Sequence, residues 1–275
     1  MQYLIKALNL NKYFFIILLA GCVFVTDLSG NQCSFSKEET VFISNIIGVT
    51  AITTWGVLNW DYFKNKPQAK NEGWFSNNTK DGGHDKLGHF YISYALSHGL
   101  AAIYENAGYT ARQGAFLGSL SSFGMTTWME LGDSFSSYGF SYEDFLMNLI
   151  GSMTGYFFYS HPDIAEKIDI RFEYRPDFNE TDFFTDYENQ KFLLALKFDG
   201  FEFAQNNCFK YLELHLGYDI KGFPDGKNRE RNIYFGIGIN ISRLFKQASM
   251  PRISKAFNYI QLPYTYIQID KNLNN

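Results

Sequence analysis

Ionisable residues are scarce in three long apolar stretches of this chain, and where they occur they keep helical spacing. The first stretch opens on Asp85-Lys86 and carries His89-Phe90 and Tyr94. The second ends on Glu130 and Asp133, and the third runs through Ser141, Asp144, Asn148 and Gly151. A carboxylate or ammonium inside an apolar bundle is costly unless it is paired. Such segments must therefore fold as helices that turn their few charges towards one another. At four-residue spacing Asp85, His89, Ser93 and Ser97 share one stripe, and Asp144, Asn148 and Ser152 another. Bundles build sites from facing helices in this way.

Four helices are expected. Val41–Leu58 is an uncharged run of 18 residues, long enough for a membrane span or a buried core helix. The second helix runs from about Lys86 to Asn106 and stops at Gly108. The third runs from about Thr110 to Leu131 and is dotted with Gly and Ser, which allow close helix approach. The fourth runs from about Tyr142 to Tyr159, with Ser141 as N-cap and Pro162 beyond its end. Between the first two lies a polar loop, Asn59 to Asp85, interrupted by Trp74-Phe75.

From about Asp169 the period changes to two. Phe192, Leu194, Leu196 and Phe198 alternate, then Leu212 to Tyr218, Ile233 to Ile241, and Ile260 to Tyr266. The expected fold is α+β: an N-terminal bundle of about four apolar helices followed by a C-terminal antiparallel β-meander. The strands also have the alternation of outer-membrane barrels, but four or five are too few to close one. The sheet should pack its apolar face on the helices; a membrane or a barrel completed by a partner are the alternatives.

Single residues have plainer readings too. Asp85 reads as an N-cap, and Ser141 with Asp144 as a capping box. His89 reads as a core histidine, and Asn148 as a bond to a neighbouring helix. Glu130 and Asp133 resist this treatment, because a helix C-terminus disfavours negative charge by ~0.3–1 kcal/mol each. Something positive should answer them: Lys86 and His89 are the candidates, and a metal ion is another. In a catalytic reading His89 is the base and Glu130 or Asp144 the acid. No HExxH or CxxC is present, so no metal and no cofactor is expected. Neither GxSxG, P-loop nor GxGxxG occurs. The formal charge of −4, without a basic stripe, excludes nucleic acid as a natural partner.

The N-terminus is an export signal. Lys6 and Lys12 precede a short apolar run, Tyr13 to Leu19, too brief to span a bilayer. Leu19-Ala20-Gly21-Cys22 then looks like a bacterial lipobox, with Cys22 the lipidated residue and a membrane the partner. In an oxidising compartment the other two cysteines, Cys33 and Cys208, could pair.

Three motifs in order resemble a known family. Asp85-Lys86-x-x-His89-Phe90, then Glu130-x-x-Asp133, then Gly139-Phe140-Ser141-x-x-Asp144-x-x-x-Asn148-x-x-Gly151 resembles the YfiM-like predicted periplasmic lipoproteins. Trp74-Phe75 and Gly155-Tyr156 are similar as well. The same order resembles the VanZ-like membrane proteins. The resemblance covers about Gly73 to Tyr159 and implies location and architecture, without an established reaction. The organisation it suggests is a signal and lipobox over 1–22, a linker over 23–40, a helical domain over 41–165 and a sheet over 169–272. The function expected is an exported envelope lipoprotein at the outer membrane, non-catalytic, in maintenance or binding, with another envelope protein as a possible partner. An envelope hydrolase or transferase and a VanZ-like integral membrane protein are the alternatives.

Overall fold

The computed structural model describes residues 35–175, 186–223, 226 and 228–274. Cys22, the rest of the export segment and Cys33 lie outside the described residues; Cys208 is exposed and carries a free thiol. The fold is mixed α+β, with eight helices and a six-stranded sheet among the described residues, the long helices lying N-terminal. The chain divides into two compact units. One holds Val25–Thr79 and Lys86–His161, the other Lys80–Asp85 and Pro162–Asn275.

The first unit is helical. Helix α1 (Lys37–Asn59) starts behind a capping box of Ser36 and Glu39. Strand β1 (Ala69–Lys70) follows, then α2 (His84–Asn106) and α3 (Ala111–Ser134), the latter opened by a second capping box, Thr110 with Gln113. Strand β2 (Phe140–Ser141) pairs parallel with β1 and leads into α4 (Tyr142–Ser160). Helix α3 runs past Leu131 to Ser134, so Glu130 and Asp133 sit within its last turns.

Glycine sets the helix spacing at two places. A Cβ on Gly118 of α3 would lie 2.5 Å from the Ala101 nitrogen of α2, and one on Gly151 of α4 only 2.2 Å from the Phe90 oxygen. The interior between these helices is small and polar. Ser122 donates to the Ser93 carbonyl (2.8 Å), and Ser119 to that of Ser152 (2.6 Å). A compact apolar cluster of Leu100, Tyr104 and Met125 receives Val41, Val49 and Ile52 of α1. Large apolar side chains meanwhile point outwards, among them Phe42 and Ile47 of α1, Phe116 and Leu120 of α3, and Ile150 and Met153 of α4. Helix α1 is long and apolar enough to cross a membrane, and only 6% of its apolar window is buried. The buried-core alternative for this helix is therefore corrected: α1 touches the bundle along one edge and leaves the rest uncovered.

The second unit contains α5 (Pro162–Ala165), β3 (Ile168–Tyr174), β4 (Gln190–Lys197), α6 (Glu202–Gln205), β5 (Leu212–Lys221), β6 (Glu230–Ile239), α7 (Ile241–Gln247), α8 (Pro251–Ala256), β7 (Ile260–Gln261) and β8 (Tyr266–Asn272). The strand order is β7-β3-β4-β5-β6-β8. Neighbours are antiparallel except β7, which runs parallel to β3. The strand expected over Ile260 to Tyr266 is in fact two, because Pro263 and the positive φ of Tyr264 (65°) turn the chain between them.

The sheet curls strongly about its polar face. Five strand steps separate β7 from β8, about 24 Å across a flat sheet at ~4.8 Å per step. Only residues 262–265 connect them, a reach of at most ~18 Å. Side chains report the same curvature. The Tyr266 hydroxyl of β8 donates to Glu173 of β3 (2.7 Å), and Lys191 of β4 to Gln268 of β8 (2.9 Å). The inside is an ion-paired core. Arg171 binds Asp169 (2.7 Å) and Glu213 (2.6 Å), Lys197 also binds Asp169 (2.7 Å), and His215 contacts Glu213 (2.9 Å). Buried charges of this density require such mutual pairing. The alternating apolar residues therefore fall on the convex side. On β6 and β8 they stay exposed, whereas Ile170 and Phe172 of β3 and Phe192 of β4 are buried, so the face expected to be buried is covered only in part.

Candidate functional site

The helical unit gathers most of the singled-out polar residues at one end of the bundle. Lys86, in the second residue step of α2 after His84, is 1% exposed. Its ammonium lies 2.5 Å from Glu72, 2.8 Å from Asp144 and 3.5 Å from the Ser141 hydroxyl. Nearly one turn further on, His89 places Nδ1 3.2 Å from Glu130 and 3.3 Å from the Asn148 side-chain oxygen. Its Nε2 lies 3.9 Å from Asp144. Asn148 also accepts from Ser93 (3.0 Å) and donates to Glu130 (3.4 Å). One amide thus joins α2, α3 and α4.

Lys86, His89, Glu130, Ser141, Asp144 and Asn148 are therefore together. Asp133 is close by, beside Tyr62, whose hydroxyl donates to the Met129 carbonyl (2.9 Å). Asp85 occupies the first turn of α2, where the helix dipole favours a carboxylate. One expected pairing is corrected. Lys86 answers Asp144 and Glu72, and it is His89 that meets Glu130. The three-residue step from Lys86 to His89 turns Lys86 towards the start of α4, away from the end of α3. Ser141 caps α4 through the Asp144 amide (3.2 Å), but the Asp144 carboxylate turns to Lys86 and leaves the capping box half made.

Sequence reasoning missed three participants. Glu72 and Tyr62 lie in the loop before α2, where no periodicity marks an inward-facing residue. Glu143 is fully buried and pins that loop, accepting from the Gly73 amide (2.8 Å) and the Ser141 hydroxyl (3.2 Å). Beside Asp144 in the first turn of α4 an acid is ordinary, so nothing in the sequence marks it.

Electrostatics divides the carboxyls. Burial pushes Glu130 up to about 8 despite the pull of His89. Burial likewise raises Asp133 to about 7, and Glu72 to about 7 against the opposing effect of Lys86. Burial works against ionisation of Asp144 too, but His89 and Lys86 outweigh it and hold its pKa below the ordinary value. At neutral pH, Asp144 is the carboxylate that faces Lys86, and Glu130 is largely protonated.

The His89, Glu130 and Asp144 ligand atoms lie within 4.8 Å of one another, a spacing that could hold a divalent cation. The ammonium of Lys86 already occupies Asp144 at 2.8 Å. Ser93 turns its hydroxyl to the Asn148 side-chain oxygen (3.0 Å).

Residues 71–160 match the family model "Predicted periplasmic lipoprotein (DUF2279)". The match spans about a third of the chain and includes every clustered residue named above except Tyr62. It supports an exported envelope protein with a periplasmic, membrane-anchored location. It does not carry the YfiM-like or VanZ-like names, and it does not distinguish one membrane from another. No curated protein and no solved structure matches the chain.

Proposed function

We propose that this chain is a lipid-anchored protein of the outer membrane whose helical unit serves as a non-catalytic binding or maintenance module. The polar cluster is its structural heart. The observation that carries this reading is mutual pairing: the Lys86 charge lies between Glu72 and Asp144, and His89 is held between Glu130 and Asn148. A site kept for general acid–base work would leave one of these groups facing a substrate. The outward apolar side chains of α1, α3 and α4 support a location against lipid, with Cys22 as the anchor. The domain organisation proposed is a signal, a short linker, this helical domain and the C-terminal sheet.

The test is Lys86→Met. All four tryptophans, at 55, 60, 74 and 128, lie in the helical unit, so their fluorescence follows its unfolding. Stranding Asp144 beside a thioether should lower its stability by about 3–5 kcal/mol. An unchanged melting temperature would reject the structural role.

A second reading is an envelope hydrolase or transferase acting on a lipid-linked or peptidoglycan-like substrate. It is favoured by one observation, that the His89 side chain is 20% exposed while its carboxylate partners are buried. Under that reading His89→Gln abolishes turnover while leaving the melting temperature nearly unchanged. Under the structural reading the same variant destabilises the unit.

A further inference from the structure

The strand unit has its polarity reversed relative to a soluble sheet. Its concave face is lined by paired charges, and its convex face carries aliphatic and aromatic side chains. The register places six of these in two adjacent rows, Leu216–Phe235–Ile269 and Leu214–Ile237–Ile267. Phe235 is 64% exposed, Ile237 59%, Ile267 83% and Ile269 79%. Contiguous exposed apolar surface of this kind marks a contact with something apolar. The alternation is that of strands whose outer side meets lipid, and the ten-residue β5 and β6 have the length of such strands.

A second observation identifies the chemistry beyond the rows. Strand β6 ends at Ile239, and the α7–α8 hairpin begins two residues later. Between 241 and 256 the chain carries Arg243, Lys246, Arg252 and Lys255 and no acid, in a protein of net charge −4. Lys246, Arg252 and Lys255 are exposed, as are Leu244, Met250 and Ile253 beside them. The hairpin is held together from within: Phe245 and Phe257 stack with centroids 5.1 Å apart, and Ser254 donates to the Ser242 carbonyl (2.8 Å). Its outward side thus alternates cationic and apolar groups, which is complementary to the anionic headgroup zone of a bilayer. A second copy meeting this face about a two-fold axis would set one cationic hairpin against another.

We propose that the strand unit is a membrane-contacting surface: the rows on β5, β6 and β8 meet the acyl chains of an anionic bilayer, and the α7–α8 hairpin meets its phosphates. The inference is independent of the role of the helical cluster.

The experiment uses the full chain with Cys22→Ser, Cys33→Ser and Cys208→Ser, which removes the lipid anchor and the native thiols. A single cysteine at Phe235→Cys or Ile267→Cys carries an environment-sensitive nitrobenzoxadiazole. The label reads its own surroundings, so vesicle binding through other parts of the chain does not produce the signal. Vesicles of phosphatidylcholine with phosphatidylglycerol should shift the emission to the blue and raise it at least twofold. Nitroxides on the acyl chains should quench it. Reversing the hairpin charges with Lys246→Glu, Arg252→Glu and Lys255→Glu should raise the half-saturating lipid concentration at least tenfold. Emission that stays water-like and unquenched while the protein floats with the vesicles overturns the proposal. A blue shift that grows with protein concentration in the absence of vesicles assigns the face to a second copy and overturns it as well. An equal response on pure phosphatidylcholine, untouched by charge reversal, overturns the role of the hairpin.

Discussion

Asn148 shows how much a single uncharged side chain can organise. Its oxygen receives His89 and Ser93, and its nitrogen points at Glu130, so the three helices share one amide. Replacing it by Leu leaves Glu130, Ser93 and His89 each short of a partner, and an orphaned buried polar group costs about 1–3 kcal/mol. Asn148→Leu should therefore lower the urea midpoint of the tryptophan-reported transition by more than Asn148→Asp does. Ser141→Ala is milder. It removes the cap on the Asp144 amide, and a loss of about 1 kcal/mol is expected in the same measurement. At this scale the sequence was readable where a polar residue stood alone on a helical stripe, as His89, Asp144 and Asn148 do. It was silent on Glu72 and Tyr62, because a loop has no period against which an inward residue stands out. It was misleading for Lys86, whose reach to Asp144 depends on helix rotation and not on the order of the motifs.

Helices and strands were legible to different degrees. The long helices follow from apolar runs with stop signals; the start of α1 lies a few residues before Val41 because the capping box at Ser36 sets it, while α3 starts at the Thr110 box as expected. Their spacing follows from glycine. Gly118→Ala would drive a Cβ to 2.5 Å from the Ala101 nitrogen and force α3 away from α2. A loss of about 1–3 kcal/mol is expected by urea denaturation, with Gly124→Ala, where nothing lies within 4 Å, as the neutral comparison. The strands were legible as a period of two, yet the direction of that period was not. Alternation says that one face differs from the other. It does not say which face lies inside, and the curl of the sheet around Arg171 and Glu213 decided that in favour of the polar side. Strand β3 shows the same alternation, with Asp169, Arg171 and Glu173 inward.

Across the helical unit the carboxyls make stability depend on pH. Glu130, Asp133 and Glu72 have folded pKa values raised to about 8, 7 and 7 from ordinary values of 4.5, 3.8 and 4.5. The folded state then holds more protons than the unfolded one between those limits, so stability falls as pH rises through them. Asp144 has the opposite sign: its contribution is present above its ordinary 3.8 and is lost on acidification through its lowered folded value. The urea midpoint of the tryptophan signal should therefore be highest in mildly acidic buffer and decline from about pH 5 to about pH 8. A midpoint that rises over that interval would mean that these carboxyls are ionised and externally neutralised, as by a bound cation at His89, Glu130 and Asp144.

The coupling between Lys86 and Asp144 tests the neutralised-cluster account most directly, and a double-mutant cycle of Lys86→Met, Asp144→Asn and the pair measures it. Each single variant should destabilise the helical unit, while the pair should be no worse than the more damaging single change, giving a coupling of about 1–3 kcal/mol. Additive losses, with no coupling, would contradict it: the ammonium and the carboxylate would then be neighbours that do not hold each other.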